Sequence, residues 1–218
     1  MSTDFIVVLA WPEGYVKAAN AWYDKFFSSQ GKYRVGHSAL ILINSKSFTA
    51  KYFDFGRYHT PKGYGRVRDE ETDHELALPK AEIIKNKIKN IRELLLFVSK
   101  IKSTRGEGKL YASVISNVDY KSSYLTAKRI QKKEALVYGP FVINGTNCSR
   151  FVAKVIRASK LPIIKKIRFR FPFCISPSPA RNVSIANNNY FIVDNDIVKE
   201  VKKTKINAYF SSIESWKV

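Results

Sequence analysis

A cysteine placed at the mouth of a helix is the first feature of this sequence with a chemical reading. Asn144-Gly145 is a turn dipeptide, and Thr146 and Asn147 are both good N-cap residues. Phe151, Val152, Val155 and Ile156 then stand at i+3, i+4, i+7 and i+8 from Cys148, one face of a helix. Cys148 is therefore expected in the first turn, on the buried stripe, at the positive end of the helix dipole. That position lowers a thiol pKa and favours the thiolate, the form a nucleophile needs. Taken alone, a free cysteine there is as readily a small apolar core residue.

A thiolate needs a base, and a base needs something to orient it. Gly36-His-Ser-Ala-Leu-Ile-Leu-Ile43 is β-rich and apolar on both faces, as an interior strand is. Asn44 to Ser47 reads as a turn and Thr49 to Phe55 as the returning strand. With a turn of two or four residues, facing positions sum to 91 and His37 lies directly opposite Asp54. Opposed Cβ atoms are about 5 Å apart, close enough for the carboxylate to fix the imidazole tautomer and stabilise its cation. A three-residue loop would put Phe55 there instead. Singly, His37 reads as a core histidine and Asp54 as a strand-end carboxylate; with Cys148 they supply nucleophile, base and orienting acid. Arg57, Tyr58 and His59 follow Asp54 closely enough to rim a cleft, and with Asn147 they are the candidates for contacting substrate. His59 and His74 are alternative bases.

The remaining chain supplies elements to carry these groups. Phe5 to Leu9 is predicted as a buried strand, broken by Trp11-Pro-Glu-Gly14, and Ala18 to Ser28 as a helix. Gly56 to Pro79 is polar, dotted with glycine and long for a plain connection, which marks it as functional or mobile. Ile91 to Ile101 and Tyr120 to Lys132 read as helices, and Leu110 to Ile115 as a strand. After Leu161, four prolines interrupt any long element. There Ile167 to Phe173 reads as an exposed strand or binding surface, Tyr190 to Val193 as a strand and Val198 to Ile206 as a basic helix.

Composition narrows the class. A chain of 218 residues with 45% hydrophobic and 26% charged content is long enough for a sizeable core. No apolar run of transmembrane length occurs. The first residues lack the basic start of a signal peptide, so the expected location is the cytoplasm, with export by another route left open. Two cysteines, Cys148 and Cys174, do not make a disulfide framework. Neither a metal site nor a cofactor is expected from these spacings. The net charge of +20 favours anionic partners: nucleic acid, acidic lipid headgroups or an acidic cell-wall polymer. It is equally the charge of a very soluble basic protein.

The order of these motifs resembles a known superfamily. Gly36-His37-Ser38-Ala39-Leu40, then a polar residue on the next strand, then Asn147-Cys148-Ser149-Arg150-Phe151-Val152 at a helix start, is similar to the circularly permuted NlpC-type, papain-like cysteine hydrolases. That branch includes the lecithin:retinol acyltransferase-like proteins. Asp54 occupies the third position, where a His or Glu is more usual. The resemblance covers roughly Phe5 to Leu161. It implies an α+β, papain-like core with an antiparallel sheet packed on helices over 1–161; beyond it the resemblance stops, and 162–218 reads as a basic, proline-interrupted appendage packed on that core. It also implies attack on an amide or ester carbonyl, in substrates such as peptidoglycan stem peptides or lipids. The rival expectation is an inactive papain-like scaffold that binds nucleic acid or another anionic partner.

Overall fold

The computed structural model describes residues 3–17, 32–34, 36–170 and 177–203. The helix expected over Ala18 to Ser28 lies outside the described residues. The core is a nine-stranded sheet. Its strands in chain order are β1 (Asp4–Trp11), β2 (His37–Ile43), β3 (Ala50–Gly56), β4 (Tyr64–Arg68), β5 (Leu110–Val118), β6 (Leu136–Tyr138), β7 (Gly145–Thr146), β8 (Asn189–Asp194) and β9 (Ile197–Lys202). In space they run β7-β6-β4-β3-β2-β1-β5-β8-β9. Every pairing is antiparallel except β6 with β7.

Both faces of this sheet are covered, which is why its central strands are apolar throughout. Ile6, Val8, Leu40, Leu42, Phe53 and Phe55 face one core. That core is closed by α2 (Tyr120–Gln131), α3 (Cys148–Ala158), α4 (Ile163–Arg170) and α5 (Pro179–Ala186). Val7, Leu9, Trp11, Ala39, Ile41 and Tyr52 face a second core, closed by Leu94, Leu95 and Val98 of α1 (Ile91–Lys100). The fold is thus α+β, an antiparallel sheet packed on helices, consistent with a papain-like fold.

Past Leu161 the chain joins the same sheet. α5 packs on β1 and β5, and β8 pairs with β5 to extend the sheet by a hairpin. Two expectations here are corrected. Of the stretch Ile167 to Phe173, residues 171–173 lie outside the described residues and 167–170 are helical rather than extended, within α4: the Pro162 carbonyl accepts the Lys166 N–H at 3.1 Å, opening a turn whose one buried anchor is Phe169. Residues 197–202 are a strand rather than a basic helix. Asn195 and Asp196 take φ of 45° and 65°, the left-handed pair of a tight hairpin turn, and this brings Ile197 back opposite Asp194.

Between Gly56 and Pro79 lies more structure than the composition suggests. β4 and a short 3-10 turn (His74–Leu76) occupy the stretch. β4 brings Arg68 directly opposite Asp54.

Candidate active site

Gly36 and Trp11 set the entry to β2. Gly36 has φ +63°, and a Cβ there would sit 2.2 Å from the Trp11 carbonyl oxygen, so only glycine fits. His37 follows, paired across the ladder with Trp11, whose indole stacks on the imidazole with ring centroids 5.8 Å apart. As the first residue of β2, His37 lies at the end of the sheet, with a side chain only 13% exposed.

The β2–β3 register differs from the expected one. Asn44 folds into an Asx turn, its Oδ1 accepting the N–H groups of Lys46 and Ser47, and the connection runs six residues before Ala50 pairs with Ile43. Facing positions therefore sum to 93, so Asp54 lies opposite Ala39 and His37 is its diagonal neighbour on the same face. The imidazole still reaches it: Nε2 to Oδ2 is 3.0 Å.

Asp54 is fully buried and heavily supported. Arg68 grips both its oxygens, Nε to Oδ1 at 3.0 Å and the terminal nitrogen to Oδ2 at 2.6 Å. Tyr52 and Tyr58 donate their hydroxyls to Oδ2 at 3.2 and 3.3 Å. The Arg68 guanidinium also lies 3.3 Å from the Tyr58 ring centroid. Burial by itself would raise the Asp54 pKa, but hydrogen bonds from His37 and then Arg68 outweigh it and hold the carboxyl below its ordinary value.

Cys148 opens α3 as expected. Asn147 is the N-cap, its side chain accepting the Arg150 N–H at 2.9 Å. The thiol is buried, 6% exposed, and lies close enough to His37 for the two to shift each other's pKa. With Nε2 turned to Asp54, Nδ1 is the nitrogen left for the sulfur. Burial disfavours the thiolate, yet the His37 contact, the Ser38 backbone N–H and the Ser149 hydroxyl together pull the Cys148 pKa below its usual value. For His37, burial disfavours the cation, while the hydrogen bond to Asp54 and the neighbouring Cys148 sulfur lift its pKa to about 9. Both directions favour a thiolate–imidazolium pair over the neutral thiol and imidazole. Tyr138 adds a hydroxyl 3.9 Å from the sulfur, and its ring stacks on Phe55.

A cleft of about 520 Å³ opens on the His37 side of this pair, lined by His37, Tyr58, Tyr138, the glycines Gly14, Gly36, Gly56 and Gly63, the cations Arg57, Lys62 and Arg105, and one acid, Glu107. Of the substrate-contact candidates, Arg57 and Tyr58 line it, with Tyr58 mostly buried against Asp54. Asn147 serves as the helix cap. His59 is exposed and faces a different cleft, shared with His74, Asp73 and Lys102. Among the described residues no three His, Cys, Asp or Glu side chains gather as metal ligands would, and no helix is long and apolar enough to cross a membrane.

Sequence reasoning passed over Arg68, Tyr52, Trp11 and Tyr138. Tyr52 was within reach of it, two residues before Asp54 on the same strand face. Arg68 lay in a segment whose glycines and charges resemble a loop.

Comparison with known proteins adds a family and a fold. The family described as type VI secretion system effector TseH-like matches residues 6–162. The crystal structure of the type VI secretion system effector TseH superposes with a TM-score of 0.62 over 92% of this chain and 99% of that one, at 18% identity. Among curated protein sequences none matches.

Proposed function

This chain belongs to the type VI secretion system effector TseH-like family, and we propose that it is a cysteine hydrolase that cleaves peptide amides. The observation that carries this reading is the grouping of the three residues: His37 Nε2 bonds Asp54 at 3.0 Å, and Cys148, at the start of α3, lies close enough to the same imidazole for each to shift the other's pKa. The Cys148 thiolate attacks the substrate carbonyl, and the carbonyl electrons move onto oxygen. The Cys148 backbone N–H, at the first position of α3 where no intrahelical carbonyl can partner it, is placed to meet that oxyanion. When the tetrahedral adduct collapses, the C–N bond breaks and imidazolium His37 gives its proton to the departing amine. Water then enters; His37 takes its proton, the hydroxide attacks the thioester and the thiolate leaves. An amine or alcohol in place of water gives acyl transfer from the same thioester. Asp54 holds the His37 ring and its charge throughout.

The cleft lining favours a peptide over a lipid ester. Glycine backbones and a lining with three cations, Arg57, Lys62 and Arg105, against one acid, Glu107, suit amide groups and carboxylates better than an acyl chain. A peptidoglycan stem peptide has both. Membership of the family supports synthesis in the cytoplasm followed by export as a type VI secretion system effector.

The test is the pH dependence of Cys148 alkylation by iodoacetamide in a Cys174→Ser background, with His37→Ala beside it. An apparent thiol pKa well below the free value of about 8.5, raised by His37→Ala, is the expected result. A Cys148 that titrates as a free thiol regardless of His37 overturns the reading.

A further inference from the structure

A second cleft, of about 700 Å³, contains none of Cys148, His37 or Asp54. Six cations line it: Arg129 and Lys133 at the end of α2, Arg150, Lys154 and Arg157 on α3, and Arg170 at the end of α4. The α3 members stand at i, i+4 and i+7, the helix face opposite the apolar stripe that carries Cys148. No Asp or Glu lines the cleft. Among the described residues, no carboxylate pairs with Arg129, Lys133, Lys154 or Arg157, and neighbouring Glu134 makes no ion pair with them. The cations feel one another. Burial, then the charges of Lys133, Arg157, Arg150 and Arg129, depress the Lys154 pKa; burial, then Arg170 and Arg150, does the same to Arg157. Held-together like charges disfavour the folded state unless something anionic sits among them.

We infer that this cleft binds a compact, soluble ligand bearing several phosphate groups. Its shape argues for compactness: cations converge from three helices around a hollow floored by Ile130, Ala153 and Phe169, rather than tracking along a stripe as a nucleic-acid backbone requires. Its composition argues for phosphate. Of the chain's 38 cations 12 are arginine, but of the six in the cleft four are. The guanidinium fork matches phosphate oxygens two at a time. The cleft also touches Asn144, Gly145 and Thr146, the turn that leads into Cys148.

The test uses tripolyphosphate as probe, titrated calorimetrically into the folded protein at about 50 and 200 mM salt, across which exposed charges become strongly screened. Wild type binds, more weakly at higher salt, and gains thermal stability from the probe. The Lys154→Glu/Arg157→Glu double variant loses at least about tenfold in affinity, a change of about 1.4 kcal/mol. Lys87→Glu/Lys121→Glu, which alters net charge equally on exposed positions that do not line the cleft, binds as wild type does. Lys154→Gln/Arg157→Gln guards against a folding defect: relieved of repulsion, it melts higher than wild type without the probe and gains less from it. Absence of binding, or equal weakening by the Lys87→Glu/Lys121→Glu pair, overturns the inference. So does a preference for anionic-phospholipid vesicles or duplex DNA that tripolyphosphate cannot displace.

Discussion

His37 and Asp54 bond at 3.0 Å although they are not partners in the sheet, because Asp54 faces Ala39 and the imidazole leans along the strand to reach it. The shared face depends on parity, since any shift by two residues keeps both side chains on one side of the sheet, and the bond survives this one because a shift of two leaves them diagonal neighbours. It predicts that Asp54→Asn folds but loses the ring's orientation and the support for its cation. Turnover on a peptide substrate should fall by about 100-fold or more, with Cys148 still open to alkylation. Unchanged turnover would remove Asp54 from the site.

The pH profile follows from the same contacts. His37 is raised to about 9, so its proton is fully present well below that pH and lost as pH climbs through it. Cys148 is lowered, so its thiolate persists until pH falls through its depressed value. A bell-shaped kcat/KM results, with its alkaline limb near pH 9; both limbs belong to the coupled pair rather than to either residue. Removing Asp54, which supplies part of the upward pull on His37, should move the alkaline limb to lower pH. A limb that stays put in Asp54→Asn would contradict this account.

Arg68 gives a stability prediction. Asp54 is held below its ordinary 3.8, so its ionic contribution is complete above that pH and lost as pH falls through the lower folded value. Arg68→Met removes the bidentate partner and leaves a buried carboxylate with only His37 and two tyrosine hydroxyls. The expected cost is about 3 kcal/mol at neutral pH, read by urea denaturation, with the acid-unfolding midpoint moved upward. Pairing it with Asp54→Asn should cost less than the sum of the two singles.

What the residues made legible, and what they did not, divides along physical lines. The buried strands, α1, α2 and the opening of α3 follow from apolar periodicity and a strong N-cap, both local properties. The six-residue β2–β3 connection was not legible, because the Asx turn at Asn44 and the positive φ of Phe48 absorb residues that look like strand. Arg68 was hidden for a different reason. Its strand alternates over only five positions, with Gly63 just before it and Gly65 inside it, and the partner that fixes it lies 14 residues away on β3. The hairpin at Asn195-Asp196 carried a readable turn signal, which the lysines of the following strand outweighed.

Gly36 is expected to tolerate no side chain. Gly36→Ala would need a left-handed conformation costing about 1–2 kcal/mol and would drive a methyl into the Trp11 carbonyl. The variant should lose at least about 2 kcal/mol of stability. Because Trp11 stacks on His37, alkylation of Cys148 should also lose its His37 dependence. A Gly36→Ala protein as stable and as reactive as wild type would show that this close approach does not position the site.

Asn147 separates the helix cap from substrate contact, the two roles open to it. Its side chain takes the Arg150 N–H at 2.9 Å, one of the donors that the first turn of α3 leaves unmatched. Asn147→Ala should therefore cost about 1 kcal/mol and loosen the turn that presents Cys148, raising the thiol's apparent pKa and slowing alkylation at neutral pH. Asn147→Asp and Asn147→Ser can also cap, so both should restore stability and thiol reactivity. If they restore stability while peptide turnover stays low, the amide itself contacts substrate. If all three variants alkylate and turn over like wild type, the cap contributes nothing to the nucleophile, and the thiolate is held by His37 and Ser38 alone.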